Sequence, residues 1–93
     1  MLTLSTALSI PAHVSFSVVG DDAFLLNTQT NKYFGLEKVG TRLWELLNEG
    51  RSLKTAHQII LSEYEVDPVQ LEKDILELIN HLLENSLVET AHG

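Results

Sequence analysis

The chain has 93 residues, 44% hydrophobic and 20% charged, with thirteen acids against six bases for a formal net charge of −7. That is room for one domain with a modest core, too apolar for a disordered tail and too acidic for a bulk grip on nucleic acid or an anionic membrane. The absence of cysteine excludes disulfides, thiolate chemistry, iron–sulfur clusters and Cys-based zinc sites, and it suits a reducing compartment.

The N-terminal segment MLTLSTALSIPAHV is mildly apolar, but it has no basic leading region and Pro11 interrupts it, so it does not read as a secretory signal. No apolar run approaches the roughly 20 residues that span a bilayer. The expectation is a soluble, cytoplasmic, single domain over residues 1–93, with strands in about 13–36 and helices in about 37–84.

His13 to Val18 alternates polar and apolar residues and sets Val14, Phe16 and Val18 on one strand face. After a Gly20-Asp21-Asp22 turn, Ala23 to Asn27 is more continuously apolar and reads as a central strand covered on both faces. Thr28 to Asn31 is the next turn, and Lys32 to Leu36 is the third strand. Such short connections make an antiparallel meander whose first and third strands are its edges. Leu2 and Leu4 offer a short extra strand.

Beyond Leu36 the period becomes helical. Val39, Leu43, Leu46 and Leu47 share a face with Trp44 beside them, and Gly50 is a natural stop. Ser52 is placed to cap a second helix with a stripe of Leu53, Ala56, Ile59 and Ile60. The third helix has the best start signal: Asp67 as cap, Pro68 in the first turn, Gln70 at the capping-box position, and Val66 and Leu71 spaced for a hydrophobic staple. Its apolar residues Leu71, Ile75, Leu76, Leu78, Ile79, Leu82 and Leu83 cover roughly half the circumference, more than one core contact needs. Leu87 and Val88 look like a returning segment, with Thr90 to Gly93 as a frayed tail.

No catalytic constellation is present. His13, His57, His81 and His92 lack the spacing that puts two ligands on one helical face, and they read as solvated surface residues. The five glycines are dispersed, so no loop cradles a phosphate, and there is no nucleophile elbow. Neither a metal nor another cofactor is expected. Strands with three helices suggest a winged helix-turn-helix, yet the helix that would enter a DNA groove carries Glu72, Asp74 and Glu77. Like charge would face phosphate there. The bases Lys32, Lys38, Arg42, Arg51 and Lys54 lie upstream and make at most a weak patch for an acidic partner. What remains is a binding module: an open third strand able to accept an extended segment, beside an apolar wall on the last helix.

FLLNTQTNKYFGLEKVGTRLWELLNEG, then SEYEVD, then QLEKDILELINHLLENSLVE resembles the PqqD-like family, the recognition elements for ribosomally made precursor peptides (RiPP recognition elements). The likeness runs from about residue 13 to residue 89 and rests on Tyr33, Phe34, Leu36, Gly40, Trp44, Leu46 and Leu47, with support around Asp74, Leu78, Leu82, Leu83 and Leu87. Gly-Thr-Arg-Leu-Trp after the strand is most similar to the stand-alone lasso-peptide subset.

The resemblance implies an α+β fold, a three-stranded antiparallel sheet packed on three helices in winged-helix fashion. It implies a non-catalytic, cofactor-free domain that binds a precursor's leader as a strand added to the third strand, beside the last helix. That precursor would pass to a separate leader peptidase and cyclase. The implied peptide-binding positions are Lys32, Tyr33, Phe34, Gly35 and Leu36 on the strand and Leu71, Asp74, Ile75, Leu78 and Leu82 on the helix. Asp74 is the polar member, placed to accept from a leader N–H or pair with a leader cation. The sequence departs from the family's habit at Asn27, often Asp, at Asn31, often Gly, and at Asn85-Ser86, which replaces a glycine-containing helix end. A PqqD-type chaperone for another peptide-modifying enzyme, a degenerate winged-helix regulator and a purely structural enzyme subunit are the alternatives.

Overall fold

The computed structural model describes residues 2–91; His92 and Gly93, with the last part of the expected tail, lie outside the described residues. The elements in order are β1 (Leu8–Ser9), β2 (Val14–Val19), β3 (Asp22–Asn27), β4 (Lys32–Leu36), α1 (Lys38–Asn48), α2 (Leu53–Glu63), α3 (Pro68–Glu84) and β5 (Glu89–Thr90). β2, β3 and β4 form the antiparallel meander with β3 in the middle. The pairing aligns Phe16 with Leu25 and Leu25 with Phe34, so the inner face carries these residues with Ala23 and Leu36. Ala23 and Leu25 are wholly buried against the helices, and the Phe16 ring lies 6.2 Å from that of buried Trp44.

Three expectations for the strands and the tail need correction. The extra strand is Leu8–Ser9 rather than the Leu2–Leu4 stretch, and it pairs with Glu89–Thr90. Thr90 is therefore paired rather than frayed, and the Ala91 N–H donates to the Ala7 carbonyl at 2.9 Å. β3 is covered on one face only. α1 packs on the inner face, and the outer face leaves Phe24 45% exposed.

The helix ends follow from local chemistry. Ser52 Oγ accepts from the Thr55 N–H at 3.1 Å, and an Asp67 carboxylate oxygen accepts from the Gln70 N–H at 2.9 Å, each satisfying one orphan donor of a first turn. The capping box is one-sided: Asp67 accepts from the Gln70 N–H, while the Gln70 side chain turns forward and its amide donates to Asp74 at 2.9 Å. α1 and α3 both end in Schellman motifs. Gly50 (φ 89°) donates to Leu47 O and Arg51 to Leu46 O; Ser86 (φ 57°) donates to Leu83 O and Leu87 to Leu82 O.

Buried Asn27 ties this last turn to the sheet. Its amide N–H donates to the Asn85 carbonyl at 3.1 Å while its oxygen accepts from the Gln29 and Thr30 N–H groups. The His13 ring nitrogen meets the Ser86 carbonyl at 2.9 Å, and that of His57 meets Pro68 O at 2.9 Å. These two histidines hold loops rather than merely facing water.

Two of the dispersed bases find acids nearby. Arg42 Nε donates to one Glu63 oxygen at 2.8 Å and a terminal N–H donates to the other at 2.9 Å, clamping α1 to the end of α2. That hydrogen bond raises the Arg42 pKa and holds the Glu63 carboxyl below its usual range. Arg51 lies 3.8 Å from Glu49, and Lys38 Nζ sits 5.8 Å from the Tyr64 ring centroid. Of the upstream bases, Arg42 and Arg51 thus lie against acids of the same chain. No described helix is long and apolar enough to cross a membrane.

Candidate peptide-binding cleft

Along β4 the two sides of the main chain have different fates. The Thr28 N–H donates to the His13 carbonyl at 2.9 Å, so this pair is hydrogen-bonded across β2 and β3. In an antiparallel ladder the bonded side alternates residue by residue, which turns the main chain of Ala23, Leu25 and Asn27 toward β4. Their partners there are Leu36, Phe34 and Lys32. The intervening Tyr33 and Gly35 point their N–H and C=O groups away from the sheet. Both residues are exposed, so β4 presents two donors and two acceptors at an open edge.

Beside that edge is a cleft of about 670 Å³ lined by Phe34, Gly35 and Leu36 of β4, the start of α1 and one flank of α3. Its size falls within the range of ligand sites. The wall from α3 is Gln70, Leu71, Asp74, Ile75 and Leu78; Val66 and Asp67 close one end, and Val39, Gly40 and Leu43 form the floor on α1. α3 turns its apolar arc two ways. Leu71, Ile75, Ile79 and Leu82 are buried along the centre, whereas Leu78 on the flank is half-buried and open to the cleft.

Of the positions singled out in the sequence, Phe34, Gly35, Leu36, Leu71, Asp74, Ile75 and Leu78 meet around this space. Lys32 and Tyr33 lie farther along the same strand edge. Leu82 is 1% exposed and belongs to the core, away from the cleft lining. The contribution of α1 was missed. Its signal is Gly40, a glycine inside a helix pattern at a cost near 1 kcal/mol relative to alanine. A Cβ at Gly40 would stand 3.2 Å from a Leu78 methyl and 3.5 Å from a Leu36 methyl. Glycine there lets α3 and β4 close on α1.

The rim is acidic. Glu37, Asp67 and Asp74 border the cleft with Lys38, which already sits over Tyr64. One oxygen of the Asp74 carboxylate accepts from Gln70, and the other has no partner among the described residues. No three His, Cys, Asp or Glu side chains converge to hold a metal among the described residues.

Residues 22–88 match the family described as Coenzyme PQQ synthesis protein D (PqqD). The chain belongs to the PqqD family. Two solved structures are close to this PqqD-family fold. TbiB1 in complex with the TbiA(beta) leader peptide is 34% identical, with a TM-score of 0.84 over 91% of this chain and 99% of that one. A lasso peptide synthetase B1 complexed with its leader peptide is 26% identical, with a TM-score of 0.79 over 88% and 96%. No curated protein matches. The α+β architecture expected from the sequence, three antiparallel strands on three helices, is the one these relatives share.

Proposed function

We propose that this PqqD-family chain binds the leader segment of a ribosomally made precursor peptide as a fourth strand along β4. It delivers the precursor to a separate leader peptidase and cyclase, as in lasso-peptide maturation, in the cytoplasm where the precursor is made. The chain itself is non-catalytic and needs no cofactor. The observation that carries this reading is the juxtaposition of the open main-chain groups of Tyr33 and Gly35 with the apolar cleft wall of Leu71, Ile75 and Leu78. Main-chain pairing supplies affinity and register, and the cleft supplies side-chain selectivity. Holding the leader raises the concentration of the attached core peptide near the maturation enzymes without any new chemistry.

The test is a fluorescence-anisotropy titration with the labelled leader of the precursor encoded beside this gene, against a scrambled leader and a random DNA duplex. Saturable binding of the native leader alone, at micromolar concentration or below, is expected. Binding of the duplex instead, or of no probe, would overturn the proposal. Leu78→Glu sets a charge against the half-buried cleft wall and should weaken leader binding at least ten-fold, on the order of 1.4 kcal/mol. Circular dichroism must first establish that the variant is folded; a folded Leu78→Glu protein with unchanged affinity would place the site elsewhere.

A further inference from the structure

The cleft accounts for one face of an added strand, because successive residues of a strand point to opposite faces. On the outer face of the sheet the rows are Ser17, Phe24 and Gly35, then Ser15, Leu26 and Tyr33. Phe24 is 45% exposed and Tyr33 is 73% exposed, although both are large and aromatic. Ser17 gives Phe24 little cover on one side, and Gly35 gives it none on the other. The ring lies over that gap: a Cβ at Gly35 would be 3.7 Å from Phe24 Cε1 and 3.9 Å from Cδ1. The aromatic edge thus reaches toward the open side of β4, where Gly35 also turns its free N–H and C=O.

We propose that Phe24 and Tyr33 form a second subsite that reads the outward-facing side chains of the bound peptide. This rests on the strand-addition reading above. A strand paired to β4 brings one residue opposite Gly35 and another opposite Tyr33, two apart in the peptide, both on the outer face. The first lies two strand spacings, about 9.5 Å, from the Phe24 Cα, and the glycine between them leaves the ring free to span that distance. An aliphatic or aromatic side chain there covers the exposed Phe24 ring, and the second packs beside Tyr33. The occupant is therefore a peptide with apolar residues at alternate positions that are out of phase with those entering the cleft. A peptide read on both faces has its register specified twice, because a one-residue slip exchanges the two sets.

The experiment is a set of double-mutant cycles on the same anisotropy assay. Phe24→Thr, Tyr33→Thr and Leu78→Ala are each paired with alanine replacements along the leader of the neighbouring precursor gene. Threonine keeps strand propensity on an exposed face, and thermal melts check the fold; if Phe24→Thr does not fold, the Tyr33→Thr cycle decides. Phe24→Thr should weaken binding about three- to five-fold, the upper range for a cross-strand pair. Its coupling should fall on leader positions offset by an odd number of residues from those coupled to Leu78. Absence of coupling to Phe24 and Tyr33, or coupling at the same positions as Leu78, would overturn this inference and leave strand addition standing. No binding of the leader to the unaltered protein would overturn both.

Discussion

Replacing Gly35 with proline tests strand addition at the level of a single main-chain hydrogen. The Gly35 N–H faces the open edge rather than β3, so its removal leaves the β3–β4 ladder whole, and an edge strand tolerates proline where its N–H faces outward. The added Cβ meets only the Phe24 ring, at 3.7 Å, an ordinary contact. β4 already holds Phe34 in the extended conformation that a following proline requires. Stability should therefore change by no more than about 1 kcal/mol, with reduced unfolded-state freedom offsetting part of any strain. Binding has no such compensation. The leader carbonyl opposite loses its donor, and the proline ring occupies the approach path, for a loss of about 1–3 kcal/mol. That corresponds to roughly five- to 150-fold in Kd. Anisotropy titration measures the affinity and circular dichroism melts measure the fold. Gly35→Ala, which keeps the N–H, should stay within about three-fold of the parent. A folded Gly35→Pro variant with parental affinity would refute pairing along β4.

Two substitutions elsewhere probe how the last helix is tied down. Ser86 holds the left-handed position of the α3 Schellman turn at φ 57°, so Ser86→Gly should gain about 0.5–1 kcal/mol and raise the Tm by about 2–8 °C; an unchanged or lower Tm would show that the serine relieves its own strain. Asn27→Asp removes the donor to Asn85 O and sets a carboxylate against that carbonyl, for a loss of about 1–3 kcal/mol at neutral pH. The misplaced carboxylate is held above the ordinary carboxyl range, so the deficit should shrink as pH falls toward about 4 and level off below it, where the protonated carboxyl donates again. Denaturant melts across pH would refute this account if the deficit were flat.

Much of the fold was legible because its signals are local. The Asp67-Pro68-Gln70 start of α3, the Ser52 cap and the period-two strands depend on neighbours a few residues away, and each element forms where that chemistry places it. The reach of Gln70 was open even though both choices are local. Its side chain could turn back to the Asp67 N–H or forward along the helix, and its amide donates forward to Asp74. The two-residue pair β1 and β5 has no periodicity to detect, since each strand is defined only by its partner across the sequence.

At the cleft, the wide arc on α3 announced that the helix faces two environments. Which leucine went to which depended on how the helix rolls against α1. The close approach at Gly40 brings Leu78 to the cleft, while Leu82 stays in the core. The open outer face of β3 has a different cause: a continuously apolar strand suits two covered faces, yet nothing larger than Ser17 and Gly35 flanks Phe24, which remains exposed.

The clasp between Ala7 and Ala91 also bears on how such a module can be built into something larger. Ala7 and Leu8 share a crevice with Leu47, Gly50 and Leu53 at the C-terminal end of α1, whereas the cleft opens at its other end, around Lys38, Val39 and Gly40. The eleven residues between span about 16 Å. Ala7 and Ala91 therefore bring the early and late parts of the described chain side by side, at the end of α1 remote from the cleft. Spliced into a surface loop of a host enzyme, the unit would hang from a single hinge point with β4 turned outward. Joining its ends and reopening it in the Thr28 to Asn31 turn would instead put the seam next to the open edge, so the two graftings predict opposite consequences for access to β4.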